Sequence, residues 1–464
     1  MRYLTADFGS TYTKVTAIDT ESETILGTGA AFTTIETDVM DGLHEALRTL
    51  YDGMGLAPGE EWQYDRFLCC SSAAGGLKMV ASGLVPVLTS KAARMAASSA
   101  GAKVVKTYSY EISPSEAEEI AEINPDLILL CGGTDGGNKE SILKNAEILS
   151  RIPGHFSIVV AGNKSAEKEI EELLLRTEKP FVITENVMPS FNELNIAPAK
   201  KCIMQLFIDR IIQAKGLSRA QELAFSEIIP TPLAVLNACE LLSKGYHDEK
   251  GFGELMAVDL GGATTDVYSI AKGDPTSGNI VQRGLPEPFS KRTVEGDLGM
   301  RYSLSALADE LDLYSEAARE GLTEDQLRDW IDRCVKQPSL RAETPDEEKC
   351  EMILARGAVR LASERHAGQL KSVYTPMGQL FTLTGKDLTG TKQVLGIGGA
   401  LIHSKETKEI LKGVLFDPQN YEYAKPKAPE FLLDKRYIMA SMGLLSKEEP
   451  LAALRLMKNS LATL

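Results

Sequence analysis

One strand–turn–strand pattern occurs twice in the chain, its second copy starting 252 residues after the first (259 − 7 = 252). In the first copy, residues 3–7 and 14–19 read as strands. The turn between them, Phe8-Gly-Ser-Thr-Tyr-Thr13, is too rich in glycine and hydroxyls to open a helix. The second copy is Met256-Ala-Val-Asp-Leu-Gly-Gly-Ala-Thr-Thr-Asp-Val-Tyr268. Recurrence at half-chain spacing marks an internally duplicated molecule with two similar halves. The length of 464 residues agrees, being too long for one compact core and sufficient for two.

Each copy carries the same chemistry. Gly9, Ser10, Thr11 and Thr13 offer backbone N–H groups and hydroxyls, and a glycine leaves room for phosphate oxygens to approach. Asp7, at the strand end, is placed to hold the water shell of Mg²⁺, an ion that takes one or two carboxylates with phosphates and waters. Asp259, Gly261, Gly262, Thr264 and Thr265 repeat the set. A single glycine–threonine turn between strands is more often only a turn; two acid-led copies argue for a shared anion. A third element, Val394-Leu-Gly-Ile-Gly-Gly-Ala400, runs from strand to helix, so that Gly396, Gly398 and Gly399 leave flat backbone for a purine or ribose. Alone it would read as a tightly packed turn. Lys14 could serve as a point charge on the phosphates or face solvent.

Between the copies, strand-like runs at 67–70, 127–131, 158–161 and 181–184 alternate with helical stretches, including 114–123 and 138–150, which predicts parallel βα units. Residues 198–215 and 232–244 read as helices with Pro198 and Pro232 near their starts. After the second copy, 303–334 and 346–370 read as helices around a polar loop. A strand at 393–395, a connecting loop at 417–430 and helices near 438–445 and 448–462 complete the chain.

Hydrophobic residues make up 43% and charged residues 25%, a globular balance that excludes disordered and fibrous classes. A formal net charge of −15 excludes nucleic acid as the main partner, because phosphate backbones are bound by dense Lys/Arg surfaces. Any anion must therefore be held locally. The seven cysteines, at 69, 70, 131, 202, 239, 334 and 350, include no CxxC pair and read as reduced intracellular thiols. No apolar run approaches the roughly 18 to 20 residues that span a bilayer, and the first residues read as strand rather than signal peptide. The expectation is a cytoplasmic protein with no membrane partner. The five histidines form neither HExxH nor a Cys pairing, so no metal beyond Mg²⁺ is expected.

Two further segments draw notice. In Leu129-Leu-Cys-Gly-Gly-Thr-Asp-Gly-Gly137 a glycine loop follows a strand, equally readable as an anion nest or a tight connection. In Lys291-Arg-Thr-Val-Glu-Gly-Asp-Leu-Gly299, Lys291 and Arg292 read as solvated charges, while Glu295 and Asp297 are as readily cleft-lining as surface groups.

The residues TADFGSTYTK (5–14), VDLGGATTDV (258–267) and VLGIGGA (394–400) resemble the phosphate-1, phosphate-2 and adenosine motifs of the actin/Hsp70/sugar-kinase superfamily. Residues 228–242 and 437–445 sit where that superfamily places its two connecting helices. Together with LILLCGGTDGGNKESI (127–142) and FSKRTVEGDLGMRYS (289–303), the chain resembles the MutL-type accessory family of adenosylcobalamin-dependent glutamate mutase, which is unrelated to mismatch repair.

The resemblance implies an α/β, two-lobed actin/Hsp70-like ATPase fold of duplicated ribonuclease H-like domains. The first lobe would span 1–252 with an α/β insertion at about 76–197, the second 253–435, and C-terminal helices at 436–464 would return to the first lobe. It implies ATP and Mg²⁺ as cofactors and Asp7 and Asp259 as metal-holding carboxylates. Glu295 joins the nucleotide-binding set, and Asp266 or Asp7 orients the attacking water. The implied activity is slow ATP hydrolysis coupled to reactivation of a mutase carrying damaged cobalamin, with glutamate mutase or an aminomutase as partner and homodimerisation open. A small-molecule kinase and an actin-like filament protein are the competing readings. An iron–sulfur activator ATPase is a weaker one, since Cys131 has no second suitably placed cysteine.

Overall fold

The computed structural model describes every residue except 10, 35–37, 58, 73–77, 101, 215–216 and 377. Contacts divide the chain into two units, Met1–Val235 with Gly284–Pro286, and Leu236–Arg283 with Glu287–Leu464. The division falls inside a helix, and residues 436–464 group with the second unit.

The first unit opens with an antiparallel meander, β1 (Arg2–Phe8), β2 (Tyr12–Asp19) and β3 (Thr24–Phe32). From Tyr3 onward β1 is buried on both faces, whereas β3 alternates, as an edge strand with one wet face should. Asp38 caps α1 (Val39–Gly53) by accepting from the Met40 N–H, and Leu43, Ala46 and Leu50 press that helix onto the sheet. β4 (Arg66–Ser71) then pairs parallel with β1.

An α/β layer follows. It comprises β5 (Lys78–Gly83), α2 (Lys91–Ser99), β6 (Lys103–Ser109), α3 (Pro114–Ile123), β7 (Leu127–Leu130), α4 (Glu140–Arg151), β8 (Ser157–Val160), α5 (Glu167–Leu174) and β9 (Phe181–Ile183). The sheet is parallel throughout in the order β6-β5-β7-β8-β9, a doubly wound arrangement. Alternate side chains explain its two covered faces. Met79, Ala81, Leu127 and Leu129 face α2 and α6 (Ala197–Ala214), while Val80, Ile128, Leu130 and Ile158 face α3, α4 and α5. After α7 (Ser218–Leu223), β10 (Ile229–Pro230) returns to lie parallel to β4, and α8 (Thr231–Lys244) starts directly from it.

In the second unit a short hairpin, β11 (Gly245–Tyr246) with β12 (Glu249–Lys250), precedes β13 (Leu255–Leu260), β14 (Thr265–Ile270), β15 (Ile280–Arg283) and β16 (Ser290–Glu295). Helices α9 (Leu304–Asp309), α10 (Leu313–Arg319), α11 (Glu324–Lys336) and α12 (Pro345–His366) come next. A capping box starts α12, Thr344 and Glu347 each satisfying the other's backbone N–H, and Pro345 costs no hydrogen bond in the first turn. Its Ile353, Ala358 and Ala362 share a core with Trp330 of α11 and with Met256 and Val258 of β13.

The hairpin β17 (Gln369–Thr375) and β18 (Gly378–Thr384) joins β15 in a small separate sheet that the sequence reading did not anticipate. The rest of the unit is β19 (Gln393–Ile397), α13 (Gly399–Ile402), α14 (Thr407–Leu411), β20 (Glu430–Leu433), α15 (Met439–Leu445), α16 (Pro450–Ser460) and β21 (Ala462–Thr463).

The main sheets of the two units have one topology. In β3-β2-β1-β4-β10 and in β16-β14-β13-β19-β20, three antiparallel strands are followed by two parallel to the first. β21 adds one more strand at the β20 edge. The α/β fold is therefore a duplicated ribonuclease H-like one.

Candidate functional site

The two hairpins match position by position. Asp7 stands opposite Lys14, and the Gly9 N–H donates to the Tyr12 carbonyl at 3.1 Å; Asp259 stands opposite Asp266, and the Gly261 N–H donates to the Thr264 carbonyl at 2.9 Å. All four equivalences share the 252-residue offset (259 − 7, 261 − 9, 264 − 12, 266 − 14). A Cβ on Gly9 would lie 2.5 Å from the Tyr12 oxygen, and one on Gly261 3.0 Å from the Thr264 oxygen. The first turn closes this way only around glycine, whereas at the second a side chain would be crowded rather than excluded.

In the first unit, Asp7 is 5% exposed. Its Oδ1 accepts from the Thr231 hydroxyl at 2.6 Å and from the Cys70 thiol at 3.5 Å, while its Oδ2 lies 4.0 Å from the Lys14 ammonium. Burial, and then the Asp7 charge, push the Cys70 thiol well above its ordinary range, so it stays protonated and donates. Neither Thr231 nor Cys70 was singled out from the sequence. The only available signal was a Thr-Pro pair opening a helix straight after a strand.

In the second unit, Asp266 is paired rather than available. Arg292, itself 5% exposed, donates Nε to Asp266 Oδ1 at 2.7 Å, and the Thr264 hydroxyl reaches Oδ2 at 3.2 Å. Burial alone would lower the Arg292 guanidinium, but the Asp266 charge beside it outweighs this and holds it above its ordinary value. Lys291 likewise is not solvated, forming an ion pair with Glu287 at 2.6 Å and donating to the His366 carbonyl at 2.6 Å. The sequence placed both cations in solvent; β16 instead carries them along the wall of the β14 strand.

The segment after β16 braces the second turn. The N–H groups of Met300, Arg301 and Tyr302 donate to the Gly261 and Gly262 carbonyls, and the Ser303 hydroxyl donates to the Ala263 carbonyl at 2.7 Å. Gly299 permits this approach, since a Cβ there would lie 2.5 Å from the Ala263 oxygen. From the other side, β19 runs parallel to β13 and delivers Gly398 at φ +106°, where a Cβ would strike the Leu260 carbonyl and lie 2.8 Å from Asp259 Oδ1. Burial and the nearby Asp259 charge raise the Cys239 thiol of α8 above its usual range.

The remaining expected site residues divide. Thr13 and Thr265 are fully buried; the Thr13 hydroxyl bonds that of Thr33 at 3.1 Å, and the Thr265 hydroxyl donates to the Leu298 carbonyl. These two hydroxyls are taken by residues just beyond the neighbouring strands, Thr33 after β3 and Leu298 after β16. Thr11, Gly262 and Gly399 are half-exposed, Gly399 having no atom nearer than His403 Cδ2 at 4.0 Å from its would-be Cβ. Gly396 is a packing glycine, its would-be Cβ 3.1 Å from Leu401. Glu295 is buried and accepts from Arg365 at 3.0 Å, and the same guanidinium meets Asp297 at 2.8 Å. Ser10 lies outside the described residues.

The Gly132–Gly137 loop sits at the carboxyl end of β7. Buried Asn163 and Asn186 hold it: Asn163 bonds the Gly136 N–H and the Gly137 carbonyl, and Asn186 bonds the Gly133 carbonyl and Asp135. Lys164 closes on Asp135 at 3.8 Å. The loop is thus braced by side chains, with its aspartate already engaged.

A family model described as MutL protein matches residues 3–461. Protein MutL of Clostridium tetanomorphum is 46% identical over 465 residues, covering 99% of this chain and 99% of that protein. Among solved structures, xylulose kinase from Bifidobacterium adolescentis is 12% identical, with 98% of this chain and 93% of that chain covered and a TM-score of 0.30. Plasmodium falciparum glycerol kinase with ADP is 9% identical, with 100% and 93% covered and a TM-score of 0.35. Both structural likenesses are too distant to bear on function. With a family model spanning nearly the whole chain and a relative close to half identical over its full length, the chain belongs to the MutL protein family.

Proposed function

We propose that this chain is a Mg²⁺-dependent, slow ATPase that reactivates an adenosylcobalamin-dependent mutase, glutamate mutase or an aminomutase, by using the nucleotide cycle to promote release of damaged cobalamin. The observation that carries the nucleotide half of this reading is the residue-for-residue match of two acid-led glycine turns, one in each unit. A backbone that admits no Cβ at Gly9 and crowds one at Gly261, next to carboxylates at Asp7 and Asp259, has the donor set that phosphate and hydrated Mg²⁺ require. The mutase half rests on the family resemblance.

In this mechanism the turn N–H groups hold phosphate oxygens, and Lys14 adds a point charge. Asp7 and Asp259 would hold the water shell of Mg²⁺. Gly398 and Gly399 offer bare backbone to the nucleoside. Asp266, tied to Arg292, positions its hairpin, which leaves Asp7 the better candidate for orienting the attacking water. Bound Mg²⁺ supplies positive charge against the charge that spreads over the phosphate oxygens during transfer. No helix among the described residues is long and apolar enough to cross a membrane, and we assign the protein to the cytoplasm.

Asp7→Ala and Asp259→Ala should each abolish Mg²⁺-dependent ADP release; wild-type turnover in both variants would end the reading. A pull-down of candidate cobalamin mutases with ATP and with ADP tests the partner, nucleotide-dependent capture being the expected result. A kinase would instead turn over strongly only with a sugar or carboxylic acid present.

A further inference from the structure

We infer that Thr231 is the positioning residue that sets the Asp7 carboxylate for its metal and ties the start of α8 to the state of the first turn, an inference that rests on the nucleotide reading above. Three neighbouring strands bring the groups into line. Asp7 on β1 stands beside Cys70 on β4, and Cys70 stands beside Ile229 on β10. Thr231 follows two residues later as the first residue of α8, and its hydroxyl reaches back over β4 to Asp7 Oδ1 at 2.6 Å.

A carboxylate turns easily about its last torsion, where the preference is broad and two-fold. Here two donors, the Thr231 hydroxyl and the Cys70 thiol, converge on one oxygen, so the other is the one presented towards Lys14. The Thr231 bond is the shorter, and bonds to an ionised acceptor are about twice as strong as neutral ones. Such a hydroxyl selects which oxygen a metal-bound water meets.

The same bond anchors a long helix. α8 runs on from Thr231 to Lys244 with Leu233, Ala234, Val235 and Leu236 buried, so its first turn is held by packing as well as by Asp7. Metal at Asp7 competes for the carboxylate charge and weakens or re-aims the Thr231 bond. The first turn of α8 therefore reports occupancy.

The test uses the full chain and three forms: wild type, Thr231→Val, which removes the hydroxyl at nearly constant shape, and Thr231→Ser, which keeps it. Mg²⁺ is titrated at fixed ATP and read by the melting temperature, and amide exchange is followed over residues 231–239 with and without MgATP. Loss of a group that orients a metal ligand typically lowers metal affinity about 10-fold or more. The valine variant should accordingly need about tenfold more Mg²⁺ for half of its thermal shift and lose the exchange response of α8. The serine variant should stay within about twofold of wild type in both. A valine variant with wild-type Mg²⁺ dependence and wild-type exchange response overturns the inference while leaving the nucleotide reading standing, and so does a serine variant as defective as the valine. A wild type whose melting temperature ignores Mg²⁺ removes the nucleotide reading itself.

Discussion

Replacing Arg292 by Met should destabilise the second unit severely. The guanidinium and Asp266 are both buried, joined at 2.7 Å, and once Arg292 is gone the carboxylate keeps only the Thr264 hydroxyl at 3.2 Å among its side-chain partners described above. Removing one partner of a buried pair typically costs about 3–5 kcal/mol, because the remaining charge lies in a poorly solvating site. With a urea m-value of about 2–3 kcal/mol/M, this lowers the unfolding midpoint by roughly 1–2.5 M.

The chain has two tryptophans, and they fall in different units: Trp62 packs in the first and Trp330 in the core of the second. In a Trp62→Phe background, fluorescence therefore follows the second unit alone. Asp266→Asn combined with Arg292→Met should recover most of the loss, since no unpaired charge is left behind. A single variant within about 0.5 kcal/mol of the parent, or a double variant no more stable than the single, would refute the assignment of Asp266 to a structural ion pair.

Gly398→Ala should abolish ATP binding measured by calorimetry, because the added methyl would strike the Leu260 carbonyl and sit 2.8 Å from Asp259 Oδ1 at a φ of +106°; unchanged affinity would show that the loop is remote from the nucleotide. Burial lowers the Lys386 ammonium to about 7. The unfolded chain then binds more protons than the folded one between that value and the ordinary lysine pKa of about 10.4, so second-unit stability should rise with pH across this window. Lys386→Met should flatten the rise, and an unchanged slope would contradict it. His366, held well below its usual pKa by burial and the neighbouring lysines, should cost stability as pH falls below about 6.5. Six of the seven cysteines are buried and only Cys202 is partly exposed, so a thiol reagent should titrate one equivalent in the native protein and seven in urea.

Much of the architecture was legible because it depends on short-range pattern. Strand, acid, glycine and hydroxyl lie within a dozen residues in each hairpin, and parallel βα units announce themselves by alternating apolar runs. The turn at Gly9 and its twin at Gly261 follow from local backbone geometry, which a linear reading can reach. The strands β15, β17 and β18 escaped it because few of their residues are buried, which leaves too little apolar periodicity to stand out.

By itself the sequence determined the duplication, the acid-led turns and the glycine loop after β19, since each is written in contiguous residues whose φ/ψ needs are local. Tertiary structure decided which of those residues remain available to a ligand. Whether a threonine hydroxyl faces outward or is taken by a neighbouring segment, as at Thr13 and Thr265, depends on which side of a strand packs against the core. That Asp266 is neutralised by Arg292 and Asp7 is aimed by Thr231 depends on partners 26 and 224 residues away in the chain. Charge pairing acts over ångströms in space, and only the folded sheet brings those partners within reach.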